Sequence, residues 1–149
     1  MESSGHSISP GRFDQYMYPY YQKDMAEGKI TRDEAQELVD CIWVKLNDLN
    51  KARDAASAEG FAGYSLFQNL IVGGQNENGE DVTNDLSFLC IWASAHVFLP
   101  QPSLSVRVWN CTPHELLVEA AKLTRTGIGL PAYYLSLIHI SEPTRQEAI

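Results

Sequence analysis

The sequence predicts an α/β fold on a parallel sheet, and three features carry that prediction. Short apolar runs bounded by glycine or proline, Leu70-Ile71-Val72 and Leu104 to Trp109, alternate with stretches whose apolar residues recur every three or four positions. Two of those stretches open on a Thr-x-x-Glu capping box, Thr31 to Glu34 and Thr112 to Glu115. Strands that alternate with helices in this way join through right-handed βαβ crossovers, which makes their sheet parallel.

Taken in order, Gly11 to Ala26 reads as an aromatic-rich helix carrying Phe13, Tyr16, Tyr18, Tyr20 and Tyr21, kinked at Pro19 and ended by Gly28. Behind the Thr31 cap, Ala35, Leu38, Val39, Ile42, Trp43, Leu46 and Leu49 mark one apolar face of a helix reaching about Lys51. Leu70-Ile71-Val72, stopped by Gly73-Gly74, is a buried strand, and Asn76 to Gly79 is turn chemistry. Thr83 to Val97 forms the next helix, with Leu86, Leu89, Cys90, Ala93 and Val97 on one face, until Leu99-Pro100-Gln101-Pro102 breaks it. Leu104 to Trp109 is a second strand. Pro113 at the first helical position starts a helix that runs to about Thr126 and stops at Gly127, and Leu130 to Tyr134 is a third strand. Three strands with helices on one side leave edges unpaired, so the chain is expected to be a piece of a larger sheet. Leu135 to Ile149 breaks the rhythm, with neither cap nor period, and is expected to be a non-native tail resembling translated sequencing-adaptor sequence.

Bulk properties narrow the function. The chain has 149 residues, 44% hydrophobic and 20% charged, enough for one domain with a real core. A net charge of −8 opposes binding to nucleic acid or an anionic membrane, both of which need clustered Lys and Arg. No apolar run approaches the ~20 residues needed to span a bilayer. Met1 to Pro10 lacks the order of a signal peptide, so a cytoplasmic location is expected. Cys41, Cys90 and Cys111 form no C-x-x-C pair and read as reduced thiols rather than a zinc site or a disulfide frame. Asn110-Cys111-Thr112 matches a glycosylation acceptor only formally, since Pro113 follows and nothing points to secretion.

Few residues carry chemistry by pattern. His96 and His114 read as ordinary helix residues, His139 lies in the tail, and no pair has metal-binding spacing. His6 stands beside Ser7 in Gly5 to Gly11, where a glycine-bearing loop can bring a hydroxyl and an imidazole to a bound substrate; the same pattern also serves as a plain turn. Gly73-Gly74-Gln75 follows a strand as phosphate loops do but lacks their G-x-G-x-x-G or Walker pattern. Phe61 to Asn69 is either core packing or an apolar wall at a strand mouth.

Several runs together resemble one family. Gly5-His6-Ser7-Ile8-Ser9 followed by Gly11-Arg12-Phe13-Asp14-Gln15-Tyr16 is similar to a stretch of the glycyl radical enzymes, in the pyruvate formate-lyase-like and dehydratase branch. Phe67-Gln68-Asn69, Gly73-Gly74-Gln75, Thr83 to Ser87, Leu99 to Ser105 and Gly129 to Tyr134 resemble it too, in order, so the likeness covers Glu2 to Tyr134. It implies that residues 1–134 are a fraction of a ten-stranded α/β barrel and that 135–149 stand outside it. It implies a parent enzyme whose glycyl radical is installed by an activating enzyme using an iron–sulfur cluster and S-adenosylmethionine. A cysteine thiyl then takes a hydrogen atom from a small substrate. The parent is expected to be a cytoplasmic homodimer.

Residue by residue, His6 and Ser7 match the family's substrate-contacting pair, and Phe67 matches an aromatic that packs on substrate in dehydratase members. Ser4 stands where the family often has asparagine. None of the three cysteines matches the thiyl position, and the family's R-V-x-G loop is absent, so no catalytic residue and no metal ligand is assigned. The reading is a radical dehydratase, a C–O lyase of glycerol, a diol or hydroxyproline, for the parent, with an inactive 149-residue chain. The alternatives are pyruvate formate-lyase or an arylacetate decarboxylase, and, of another class, a stand-alone non-catalytic subunit.

Overall fold

The computed structural model describes residues 8–48, 55–60 and 68–135. Their elements are α1 (Phe13–Tyr16), α2 (Tyr18–Ala26), α3 (Arg32–Asp48), α4 (Ala55–Gly60), β1 (Asn69–Gly73), α5 (Asp85–Val97), β2 (Ser103–Val108), α6 (His114–Arg125) and β3 (Ala132–Leu135). The three strands form one parallel sheet in the order β1-β2-β3, with Leu70 opposite Leu104, Val72 opposite Val106, and Val106 opposite Tyr133. The predicted βαβαβ half is therefore present. Of the proposed tail, only Leu135 is described, at the end of β3.

The first helical stretch differs from expectation. It is two helices broken at Met17, and Pro19 lies in the first turn of α2, where its missing N–H leaves no hydrogen bond unmade. Gly28 ends α2 with φ +66. The Thr31 box forms as predicted: the Thr31 N–H donates to Glu34 Oε2 (2.8 Å) and the Glu34 N–H to Thr31 Oγ1 (3.3 Å). Ala35, Val39, Trp43 and Leu46 of α3 are buried, but Leu38 is 57% exposed, one helical step off the core face. The α4 helix had no apolar period to announce it.

The second Thr-x-x-Glu box does not form. Pro113 sits at the N-cap of α6 rather than at its first position, and no side chain caps that helix. Thr112 Oγ1 instead accepts from the Trp109 N–H at 2.8 Å, holding the turn out of β2. The helix expected from Thr83 starts at Asp85, with Asn84 as its cap. Asn84 and Ser87 cap one another, with the Ser87 N–H on Asn84 Oδ1 (3.3 Å) and the Asn84 N–H on Ser87 Oγ (3.2 Å).

The core lies where α3, α5 and α6 meet β1 and β2. Trp43, Leu70, Val72, Cys90, Leu104, Val106, Leu116 and Ala120 are fully buried. Helix α5 is buried on more than the predicted face, because Ser87, Ile91 and Ser94 are also covered. All four residues of β3 are exposed, and among the described residues no strand pairs with its outer edge.

Candidate functional site

The described residues next to the predicted loop converge on the edge of β1 that faces away from β2. Gly11, at φ +65, forms a parallel bridge to Leu70. Its N–H donates to Asn69 O (3.3 Å) and its carbonyl accepts from the Ile71 N–H (2.7 Å). The chain that enters α1 is thus an added rung on β1, held by backbone bonds whose geometry any residue with access to that φ supplies.

Beyond Gly11, two side chains of the Arg12 to Gln15 run fasten α1 to the far end of β1, and a third reaches the loop after it. Arg12 Nη2 donates to Gly73 O (3.2 Å), and Gln15 Nε2 donates to Val82 O (3.0 Å). Asp14 is fully buried, and its Oδ2 accepts from the Gly73 N–H (2.8 Å) and from Ser87 Oγ (2.6 Å). Asn84 Nδ2 donates to the Asp14 carbonyl at 3.0 Å. Asp14 Oδ1 is also buried and has no partner among the described residues. Burial pushes the Asp14 carboxyl above its ordinary value, against the Ser87 and Gly73 hydrogen bonds and the Arg12 charge, which pull it down.

The other motif runs prove to be joints of the sheet. Gln101 Oε1 accepts from the Gln68 N–H (3.0 Å), and the Ser103 N–H donates to Gln68 O (2.7 Å), so the proline-bounded run aligns the starts of β1 and β2. Gly73 and Gly74 both have positive φ, and a side chain at Gly74 would meet Arg107 Cβ at 3.0 Å. At Gly73 an added side chain would meet Leu116 Cδ2 at 3.1 Å, so close packing on both sides accounts for the glycine pair. Trp109 Nε1 donates to Asp81 Oδ1 (2.9 Å), tying the turn after β2 to the loop after β1.

His6, Ser7 and Phe67, the predicted substrate-contacting residues, lie outside the described residues, as does His139. His96 pairs with Asp40 at 3.1 Å on the exposed faces of α5 and α3, and His114 opens α6. Cys41 and Cys111 are exposed, whereas Cys90 is buried in α5, where burial raises its thiol well above the ordinary range. Among the described residues no three His, Cys, Asp or Glu gather as metal ligands, and no helix is long and apolar enough to cross a membrane. A mostly apolar groove lined by Met17, Tyr21, Ile30, Leu38 and Ile42, with Asp24 beside them, opens between α2 and α3. The Asp14–Ser87–Gly73 cluster escaped the sequence reading. Its one signal was a carboxylate flanked by aromatics within a helix start.

Comparison with known proteins gives a consistent answer. The family model described as pyruvate formate lyase-like matches residues 1–148. A structure reported for 1,2-propanediol dehydration in Roseburia inulinivorans is 72% identical with a TM-score of 0.85, covering 98% of this chain and 17% of its own. The glycerol-bound B12-independent glycerol dehydratase of Clostridium butyricum is 63% identical with a TM-score of 0.80, over 89% of this chain and 16% of its own. The (2S)-3-sulfopropanediol dehydratase of Klebsiella oxytoca is 38% identical over 139 residues, 90% of this chain and 16% of that protein. The chain therefore spans about one sixth of the length of the relatives it matches.

Proposed function

Because this chain belongs to the pyruvate formate lyase-like family of glycyl radical enzymes, we propose that it supplies the substrate-side segment of a radical dehydratase acting on a small diol or triol such as propane-1,2-diol or glycerol. The observation that carries this reading is the 72% identity, over 98% of the chain, to the structure reported for 1,2-propanediol dehydration. Identity falls to 35% for the hydroxyproline dehydratase of Clostridioides difficile. That decline favours a neutral polyol over an amino acid.

In this reading His6 and Ser7 hydrogen-bond the substrate hydroxyls and Phe67 packs on its carbon chain. Chain connectivity supports it, since Gly11, four residues after Ser7, bridges Leu70, three residues after Phe67. An imidazole and a hydroxyl, each able to donate and accept, suit vicinal hydroxyls, and an aromatic face covers the intervening carbons.

Hydrogen abstraction is assigned to groups elsewhere in the parent. Those are a cysteine thiyl and a glycyl radical set by an S-adenosylmethionine-dependent activating enzyme. Cys90 is buried, Cys41 and Cys111 lie on the surface, and the sequence has no R-V-x-G run. The 149-residue chain alone is therefore expected to be inactive in an anaerobic assay with activating enzyme and S-adenosylmethionine.

The test is a chimera in which residues 1–134 replace the matching segment of the full-length Roseburia inulinivorans protein. The chimera is expected to take up a glycyl radical, seen by electron paramagnetic resonance, and to dehydrate propane-1,2-diol or glycerol. Within it, His6→Ala and Ser7→Ala should each raise KM by roughly tenfold or more, the cost of a lost hydrogen bond to a buried hydroxyl. A chimera that carries the radical yet turns over neither polyol refutes the substrate class. Unchanged KM in both variants refutes the site.

A further inference from the structure

We infer that Asn78 is a site of spontaneous deamidation by water, and that its isoaspartate product loosens the loop between β1 and α5 from the turn after β2. Of the seven asparagines, six precede residues with a side chain: Asp48, Lys51, Leu70, Glu77, Asp85 and Cys111. Asn78 alone precedes a glycine, Gly79. Deamidation begins when the backbone nitrogen of the following residue attacks the asparagine side-chain carbonyl. A β-carbon on that residue obstructs the approach, and glycine has none. The fold leaves this pair open to solvent. Asn78 and Gly79 are exposed, Gly79 sits at φ +77, and no heavy atom lies within 4 Å of the position its β-carbon would take. The Gly79 N–H donates to Asn76 O at 3.2 Å, the long end of the usual range. Other asparagine side chains are engaged. Asn84 Nδ2 donates to Asp14 O and Val82 O, and Asn69 Oδ1 accepts from Ser105 Oγ.

In the reaction, Gly79 N gives up its proton and bonds to Asn78 Cγ. The Cγ–Nδ2 bond breaks, ammonia leaves with that proton, and a succinimide ring closes. Water then opens the ring at one of its two carbonyl carbons. Opening at Cγ breaks the new bond to Gly79 N and gives aspartate on an unchanged backbone. Opening at the backbone carbonyl carbon breaks the original peptide bond and leaves the chain running through Cγ, one atom longer. The two products act differently on the loop, because Asn76 rather than Asn78 holds it. The Asn76 N–H donates to Glu80 O (2.9 Å), Asn76 Oδ1 accepts from the Asn78 and Glu80 N–H groups (2.9 Å each), and Gln75 pairs with Asp81 across an antiparallel bridge. Aspartate at position 78 keeps all of these bonds. Isoaspartate inserts an atom inside the ring they close, so the bonds from Asn76 to Glu80 cannot all stay in register. Asp81, the next residue, accepts from Trp109 Nε1 at 2.9 Å and from the Thr83 N–H at 3.1 Å, so the slack reaches the contact with the turn after β2.

The test ages the 149-residue chain, and in parallel the chimera carrying residues 1–134, in warm, mildly alkaline buffer. Peptide mass spectrometry should find a gain of about 1 Da at Asn78 before any other asparagine of residues 1–134, with isoaspartate resolved from aspartate by electron-transfer fragmentation. Gly79→Ala should slow the gain, and Asn78→Gln, whose longer side chain closes a less favourable ring, should remove it. Hydrogen exchange reads the consequence. The Asn76 and Glu80 N–H groups and the Trp109 indole N–H should exchange at least about threefold faster in the isoaspartate form than in fresh protein. Asn78→Asp, which adds the charge without the extra atom, should exchange as the fresh protein does. Deamidation at Asn78 no faster than at Asn76 or Asn110, or undiminished in Gly79→Ala, overturns the site. Isoaspartate that accumulates without faster exchange overturns the loosening, and so does Asn78→Asp if it speeds exchange as much as ageing.

Discussion

Replacing Ser94 tests whether the contact between α3 and α5 is a specific joint or simple apolar packing. Trp43 is fully buried, and its Nε1–H donates to Ser94 Oγ at 2.8 Å; Ser94 Oγ donates in turn to Cys90 O at 3.3 Å. Ser94→Ala removes the acceptor and strands a buried indole N–H, at a cost of about 2 kcal/mol. Trp43→Phe removes the donor and part of the ring, also costing about 2 kcal/mol through lost transfer energy and a partly collapsed cavity. In the Trp43→Phe background no donor remains to be stranded, so adding Ser94→Ala should cost only a few tenths of a kcal/mol more, roughly 0.3. The four proteins form a double-mutant cycle with a coupling of about 1.7 kcal/mol. Urea unfolding of the 149-residue chain, followed by far-UV circular dichroism, measures it. Additive losses, with coupling below about 0.5 kcal/mol, would refute the argument that this hydrogen bond fixes α3 on α5.

Other outcomes follow from the same geometry. Burial holds the Asp14 carboxyl above 3.8, so the folded chain keeps a proton that the unfolded chain has already released. That contribution is full below the unfolded value and is lost as pH rises through the folded one, so Asp14→Asn should gain stability relative to the natural chain between about pH 3 and about pH 7. Denaturation curves at both ends check it, and a stability difference that does not shift in favour of Asp14→Asn as pH rises would contradict it. Gly73→Ala should cost about 2–3 kcal/mol, from φ +71 and a methyl set 3.1 Å from Leu116 Cδ2. Gly79→Ala, at φ +77 in open space, should cost only about 1 kcal/mol; equal losses in unfolding experiments would remove the packing argument. Thr31→Ala should cost about 1 kcal/mol by opening the α3 capping box, read as earlier helix loss on heating. Thiol labelling in the native state should modify Cys41 and Cys111 promptly and Cys90 only after unfolding.

Legibility varied with how local the cause was. The three strands, α3, α5 and α6 were readable because each has its own period and its own punctuation. The Thr31 box was readable because four consecutive residues contain all its atoms. Its twin at Thr112 was not, because Trp109 offers Thr112 a competing N–H three residues upstream. Pro19 misled for a related reason: a proline breaks a helix or begins one according to where the preceding turn ends, and Met17 ends it here. Nothing periodic marks α4. His6 and Ser7 stood out by their glycine-bearing loop and Phe67 by its aromatic run, but their roles came from motif resemblance, and these three residues lie outside the described ones.

By itself the sequence determined the α/β class, the parallel sheet and the family, since alternating periods and ordered motifs are properties of neighbours along the chain. Tertiary structure decided what those motifs do. Gly11 becomes a rung on β1, Gln101 aligns two strand starts, and Asp14 joins Gly73 to Ser87. Each of those bonds spans dozens of residues. No local period or cap encodes such partners, because a buried carboxylate's donors are chosen by which elements pack against it.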